Sequence, residues 1–436
     1  MIELFKTIHA EFLEEVLKPG TRRDMEPIMD VPSIVTIIGG RRTGKTTLLK
    51  QMIHKLVEGG TPKEHIVYIN FEDERIPRET GIFQDLLDAR AEMFPGIPIA
   101  TCWFFFDEIH EIPGWELFLR RLHENYSSNI FLTGSSSKLL SKEIATTLRG
   151  RTISQELYPF SFREFLIHKG YDPEKQHTTR EKAAIRNELR NYLREGGYPE
   201  TIGQSYSVKT KILRSYLDVM IFRDLIERHQ ITNHHVLRQY IKKMLANTAR
   251  EASVHKTFQE LKSQGHKVSK DLLYNFQVWC EEIYLLFQLP QYHGSLVKQQ
   301  SGSKKIYGID TGLINSTSFR ASQDLGRMME NLVFLELKRR GLDVFYNKEE
   351  MECDFLIRHK ERIIHAIQVT CTLSDEAVRK REIAGLVHAM NKYKLDTGTL
   401  ITMSDERITL PGTHQIQVWP LWKWLLNTHR EYYSLS

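Results

Sequence analysis

The residues Gly39-Gly40-Arg41-Arg42-Thr43-Gly44-Lys45-Thr46 fit the spacing G-x-x-x-x-G-K-[ST]. Glycines at this spacing let backbone N–H groups turn inward and cradle phosphate oxygens. Lys45 is then placed to reach the β- and γ-phosphates, and Thr46 to give its hydroxyl to Mg²⁺. The expected cradle is Gly39, Gly40, Arg41, Arg42, Thr43, Gly44, Lys45, Thr46 and Thr47, with ATP and Mg²⁺ as cofactors. An apolar strand precedes it and a helix follows, whose positive dipole end favours an anion. The alternative is an ordinary Gly-rich turn.

A second segment, TCWFFFDEIHEIPGW, ends an apolar run at Asp107-Glu108. An Asp at the carboxyl end of a buried strand can hold Mg²⁺, and an adjacent Glu can deprotonate the attacking water. Asp-Glu together favours hydrolysis over simple nucleotide binding. The bland alternative is that Glu108 only caps the next segment. In NIFLTGSSSKLL, Thr133 or Ser135 is expected at a strand tip facing the γ-phosphate or the lytic water. In LRGR, Arg149 and Arg151 are the candidates for an arginine that neutralises transition-state charge, in cis or from a neighbouring copy; surface arginines are common, so neither is compelled.

These residues need elements to hold them. Pro32 to Ile38, Ile66 to Phe71, Thr101 to Phe106, Asn129 to Thr133 and Thr152 to Leu157 read as strands, with helices over 1–17, from Lys45, and at Phe83–Phe94 and Trp115–Glu124. Alternation of this kind predicts an α/β core with a parallel sheet. From Ser161 the pattern turns helical: Ser161–His168, Glu181–Arg194, Ser207–His229, His234–Arg250, Val254–Gln264 and Lys270–Leu286. Two β-like pieces follow, Gln288–His293 and Lys305–Ile309, joined by the polar loop SLVKQQSGSK, the outline of a winged helix. After Gly312 come a helix (Gly326–Arg340), strands at Asp343–Tyr346, Cys353–Ile357 and Ile363–Thr370, a helix at Asp375–Lys392 and a strand at Leu400–Met403.

The chain has 436 residues, 60 Lys plus Arg against 55 Asp plus Glu, and four cysteines. Its length suggests about three domains. The cysteines are scattered, which excludes a disulfide scaffold and a four-cysteine zinc site and suits a cytoplasmic location. No apolar run approaches the roughly 20 residues of a membrane span. The acidic, amphipathic N-terminus is not a signal peptide. The net charge of +5 permits an anionic partner without demanding one.

Longer strings carry a resemblance. IIGGRRTGKTTLL, FFFDEIHEIPGWE and LTGSSSKLLSKEIATTLRGR resemble the Walker A, Walker B and sensor segments of a prokaryotic family of AAA-superfamily ATPases, many uncharacterised. YPFSFREFL and GGYPE resemble segments closing the ATPase core; YLDVMIFRDLIERH and KKIYGIDTGL resemble the family's C-terminal region. The resemblance implies an AAA-type core, a winged helix and a terminal domain related to PD-(D/E)xK nucleases. The expected domains are 1–205, 206–315 and 316–436.

The terminal domain can also be read from its own residues. Glu330 lies on a helix, Asp354 in the strand CDFLI, and Gln368-Val369-Thr370 at the end of IIHAIQVT. Cleavage of this kind needs an acid pair on neighbouring strands to hold Mg²⁺ and a Lys two residues after the second ligand. Asp354 fits and Gln368 is a neutral ligand, but Thr370 stands where Lys is required. Lys348 or Lys380 are conceivable replacements. The expectation is a degenerate, non-cleaving site made of Glu330, Asp354, Gln368 and Thr370.

Lys242, Lys243, Arg250, Lys256, Lys262, Lys267 and Lys270, with Lys298, Lys304 and Lys305 on the expected wing, point to DNA or RNA; solvated helix faces are the alternative. The leading expectation is an ATPase whose nucleotide state moves its core against the other domains, acting on nucleic acid. An ATP-gated nuclease and an ATP-driven switch for a protein partner are the alternatives. Homo-oligomerisation stays open, because a neighbour can supply the arginine.

Overall fold

A computed structural model describes residues 1–135, 148, 150–317, 324–404 and 415–427. The chain divides into two compact units, Met1–Tyr158 and Pro159–Ser436.

The first unit is built on β1 (Ile34–Ile38), β2 (Ile66–Asn70), β3 (Trp103–Asp107), β4 (Ile130–Gly134) and β5 (Thr152–Glu156), ordered β2-β3-β4-β1-β5 and parallel throughout. Parallel strands covered on both faces read as continuous apolar runs; β1 and β4 are buried at every position. The helices are α1 (Ile2–Glu14), α2 (Lys45–Glu58), α3 (Ile82–Met93) and α4 (Trp115–Asn125). Helix α1 buries Phe5, Ile8, His9 and Phe12, and α2 buries Leu48, Leu49, Met52 and Ile53, both at helical spacing. Phe105 stacks on Phe131, with centroids 4.8 Å apart, across neighbouring strands of the core.

Register brings the chemistry to one edge. Asn70 pairs with Asp107, Phe106 with Leu132, and Ile38 with both Gly134 and Glu156. The carboxyl ends of β1, β3 and β4 therefore lie side by side, where ligands of open α/β sheets bind.

In the second unit, α5 (Phe162–His168) and α6 (Thr179–Glu195) each begin with a capping box, Ser161 with Glu164 and Thr178 with Glu181. Next come α7 (Tyr206–Val219), which runs into a π-helical stretch at Met220–Glu227, α8 (His234–Ala246), β6 (Arg250–Ala252), α9 (Val254–Ser263), α10 (Lys270–Glu282), β7 (Leu286–Pro290), α11 (Leu296–Ser301) and β8 (Lys304–Gly308). The three strands form an antiparallel sheet ordered β6-β8-β7. The chain ends with α12 (Thr311–Thr317), α13 (Leu325–Arg339), β9 (Asp343–Lys348), β10 (Glu352–His359), β11 (Arg362–Thr370), α14 (Glu376–Tyr393), β12 (Thr397–Thr402), β13 (Gln415–Pro420) and α15 (Leu421–Leu426). Strands β9 to β11 are antiparallel; β11, β12 and β13 are parallel.

Several expectations are corrected. The first compact unit ends at Tyr158, so residues 159–205 pack with the second unit rather than with the parallel sheet. The reason is local: Asp310 accepts hydrogen bonds from the Gly197 amide at 2.7 Å and the Leu313 amide at 2.8 Å, tying GGYPE to the IDTGL turn. A Cβ on Gly196 would stand 2.1 Å from Asp310, so only glycine fits. The helix expected over Ser207–His229 changes to π-helix at Met220, and the loop 295–304 contains α11. Strand β6, three residues long, has no periodic signature to read, and β13 is an addition to the expected strands. All four cysteines are free thiols. Among the described residues no helix is long and apolar enough to cross a membrane.

Candidate nucleotide site and a C-terminal charge cluster

The Gly39–Thr46 loop joins β1 to α2. Gly44 takes a left-handed φ of 98°, and a Cβ on Gly39 would meet the Leu157 carbonyl oxygen at 2.1 Å. Lys45 is buried. Its Nζ donates to the Gly39 and Gly40 carbonyls, each at 3.1 Å, and lies 3.7 Å from Glu108 Oε1. Thr43 Oγ1 donates to the Gly40 carbonyl at 2.9 Å. Thr46 and Thr47 are exposed on the first turn of α2, and Arg41 lies 3.6 Å from Glu72.

Asp107 ends β3, and Glu108 follows in a left-handed conformation, φ 51°, uncommon for a side chain without a local reason. Here the reason is visible. Thr133 Oγ1 donates to Asp107 Oδ1 and accepts from the Glu108 amide at 3.0 Å. The Ser135 amide donates to Glu108 Oε2 at 3.1 Å. Burial raises the Glu108 pKa; Lys45 works against it, and Asp107 adds to it. A carboxylate with a raised pKa is a stronger base at neutral pH.

Placement differs from expectation in detail. Thr133 is committed to the Asp107–Glu108 pair, and Ser135 contributes its amide. Arg149 lies outside the described residues. Arg151 is at the wrong end of the sheet: its carbonyl accepts from the Ile34 amide at 2.8 Å, at the start of β1. Five strand residues, roughly 16 Å, separate it from the loop. Its guanidinium pairs with Glu124 at 2.5 Å, so it does not complete the site of its own chain. Two residues escaped the sequence reading. Arg23 donates to the Thr43 carbonyl at 2.9 Å and the Tyr158 carbonyl at 2.6 Å, bracing the loop from outside. His110 has Nδ1 3.3 Å from Glu108 Oε2. Nothing in an isolated Arg or His marks such a role.

The second unit gathers a separate cluster. Asp354 on β10, Gln368 on β11 and Glu330 on α13 come together as expected. Asp354 Oδ2 accepts from the Val369 amide at 3.0 Å, and Gln368 Oε1 accepts from the Asp354 amide at 3.1 Å. Gln368 Nε2 donates to Glu382 Oε2 at 2.5 Å. Thr370 turns away and donates to the Thr372 carbonyl at 3.2 Å. The lysine here is neither of those expected. Lys348 pairs with Glu251 at 2.6 Å, and Lys380 pairs with Glu376. Lys305, expected on a wing, is buried and reaches Glu330 at 2.9 Å, Glu352 at 2.7 Å and Asp354 at 3.0 Å. Burial opposes its charge, but Glu330 and Asp354 outweigh that and hold its pKa well above the ordinary value. Burial, with Asp354 beside it, pushes Glu330 up.

Residues 31–166 match a family described as an AAA domain, and residues 186–324 match a domain of unknown function. An uncharacterized protein of Methanocaldococcus jannaschii is 39% identical over 440 residues, covering 97% of this chain and 95% of its own length. An uncharacterized protein of Haemophilus influenzae is 28% identical, over 84% of this chain and 88% of its own. Among solved structures, a Walker-type ATPase of Pyrococcus abyssi is similar at 15% identity, covering 69% of this chain and 99% of that one, with a TM-score of 0.39.

Proposed function

Because the chain belongs to the family of AAA-domain proteins that includes the uncharacterized M. jannaschii relative, we propose that it is a Mg²⁺-dependent ATPase. One observation supports this above the others: Lys45, Asp107 and Glu108 converge at the carboxyl edge of the parallel sheet, with Thr133 fixing the acid pair. The residues present fit Mg²⁺-ATP. The Lys45 ammonium can exchange carbonyl partners for phosphate oxygens, and the Thr46 hydroxyl is open. Bound Mg²⁺ would neutralise charge on the β- and γ-phosphates. In this reading Lys45 binds phosphate, Thr46 and Asp107 hold the metal, and Glu108 accepts the proton of water.

Phosphate release by the purified full chain tests it. Lys45→Ala is expected to lose nucleotide binding, and Glu108→Gln to bind without turnover. Parent-like hydrolysis by Glu108→Gln would remove Glu108 as the base.

Nucleic acid is the proposed partner of the second unit. The order α8-β6-α9-α10-β7-α11-β8, with sheet order β6-β8-β7 and the short helix α11 between the last two strands, supports a winged helix over residues 206–315. Lys256, Lys267 and Lys270 are exposed on or beside its helices. The order α13-β9-β10-β11-α14-β12 supports a nuclease-like terminal part, residues 316–436, without cleavage. We place the protein in the cytoplasm, and a neighbouring copy remains a source for the missing arginine.

A further inference from the structure

Lys305 lies in the middle strand of the three-stranded sheet, yet its side chain leaves that sheet for the acid cluster of the terminal part. Only 3% of the side chain is exposed. An ammonium has three N–H donors. Each finds its own carboxylate here, on Glu330, Asp354 and Glu352, at 2.7 to 3.0 Å. These are hydrogen-bond distances; Mg²⁺ would demand oxygens at about 2.0–2.1 Å in an octahedral set.

Several neighbouring oxygens are engaged as well. Glu330 Oε1 also accepts from Tyr307 Oη at 2.7 Å. Asp354 Oδ2 is held by the Val369 amide, and the Gln368 carbonyl oxygen by the Asp354 amide. Glu382 is taken by Gln368 and Arg381. Strand β8 is fastened to the same region by further contacts: Asn331 exchanges two hydrogen bonds with the Gly308 backbone, at 2.8 and 3.0 Å, and the Tyr307 ring stacks on Phe334 at 4.2 Å.

We propose that Lys305 is the resident cation of this acid cluster. Its ammonium stands where a divalent metal would have to sit, closes the cluster to Mg²⁺ and Mn²⁺, and locks β8 onto the terminal sheet. The lysine missing at position 370 then has a counterpart: the positive charge comes from another strand and is spent on the acid cluster. The proposal stands independently of ATP hydrolysis.

Mn²⁺ binding to the nucleotide-free full chain, followed by electron paramagnetic resonance, tests it. The parent and Asp354→Asn are expected to bind the same amount of Mn²⁺. Lys305→Met is expected to gain a site that binds about tenfold or more tightly than anything the parent shows there, since a cation beside it has gone. The gain should vanish in Lys305→Met/Asp354→Asn. An Asp354-dependent Mn²⁺ site in the parent, or a folded Lys305→Met that gains none, would overturn the proposal. So would Mn²⁺- and Asp354-dependent DNA cleavage by the parent. If Lys305→Met does not fold, removing the carboxylate charges as well, in Lys305→Met/Glu330→Gln/Asp354→Asn, is expected to restore a cooperative melt. A triple variant no better than the single one would show that charge balance is not what Lys305 provides.

Discussion

At the residue scale, Thr133 decides how Asp107 and Glu108 share one strand end. Its hydroxyl spans both. Thr133→Val keeps the shape, removes the donor to Asp107 and leaves the Glu108 amide without its acceptor. Loss of such an orienting partner typically costs 10–100-fold, so kcat for ATP is expected to fall about that far while nucleotide affinity is retained. Steady-state phosphate release together with equilibrium binding separates the two; an equal loss of both would make Thr133 a binding residue. The pH profile carries a second prediction. Burial raises the Glu108 pKa from its ordinary 4.5, and the base works only when ionised. The acid limb of kcat should therefore lie above pH 4.5 and be absent from the residual activity of Glu108→Gln. The Walker residues were legible because their spacing is itself the chemistry. Arg23 and Lys305 were not, because each acts across the fold from a distant stretch of chain. Lys305 was misplaced by a sound local rule, that a lysine beside a hairpin loop is solvated.

At the element scale, the parallel core was legible for a related reason. Five apolar runs separated by helices have few alternatives, and strands buried on both faces announce themselves. The second unit was harder. A three-residue strand such as β6 has no period, and α10 stops at Glu282 although the apolar pattern continues into β7. The junction of GGYPE with IDTGL was invisible as well, since it rests on one buried carboxylate, Asp310, that joins the amide of Leu313 three residues on to that of Gly197, more than 100 residues back. Burial raises its pKa from 3.8 to about 6, with the Gly197 and Leu313 amides pulling the other way. A carboxyl group with a raised folded pKa favours folding most below its unfolded value. That advantage is lost as pH rises from about 4 through about 6, by roughly 3 kcal/mol in all. The urea stability of the parent minus that of Asp310→Asn should fall across this window and level off above it. A flat difference would mean that Asp310 titrates normally. Asp310→Ala, which strips both amides of their acceptor, is expected to cost about 2–4 kcal/mol at neutral pH.

At the scale of the whole molecule, a net charge of +5 says little until the cations are placed. Lys305 is spent on carboxylates, Lys243 on Glu260, and Lys348 on Glu251. Lys256, Lys267 and Lys270 remain exposed around α9 and α10, the helices of the proposed winged helix. Each phosphate contact releases a counterion and contributes about −0.9 to the slope of log affinity against log salt on duplex DNA. If the second unit works on nucleic acid, binding of the full chain to a duplex should weaken steeply with salt. Lys267→Ala/Lys270→Ala should flatten the slope by about 1.8. Lys305→Arg, which keeps the charge inside the cluster, should leave it unchanged, as a buried cation makes no phosphate contact. Fluorescence anisotropy across a salt series reads all three proteins. A slope that the double variant leaves intact would move the contact away from α10. No measurable binding at low salt would favour the remaining reading, an ATP-driven switch whose partner is a protein and whose exposed lysines are solvated surface.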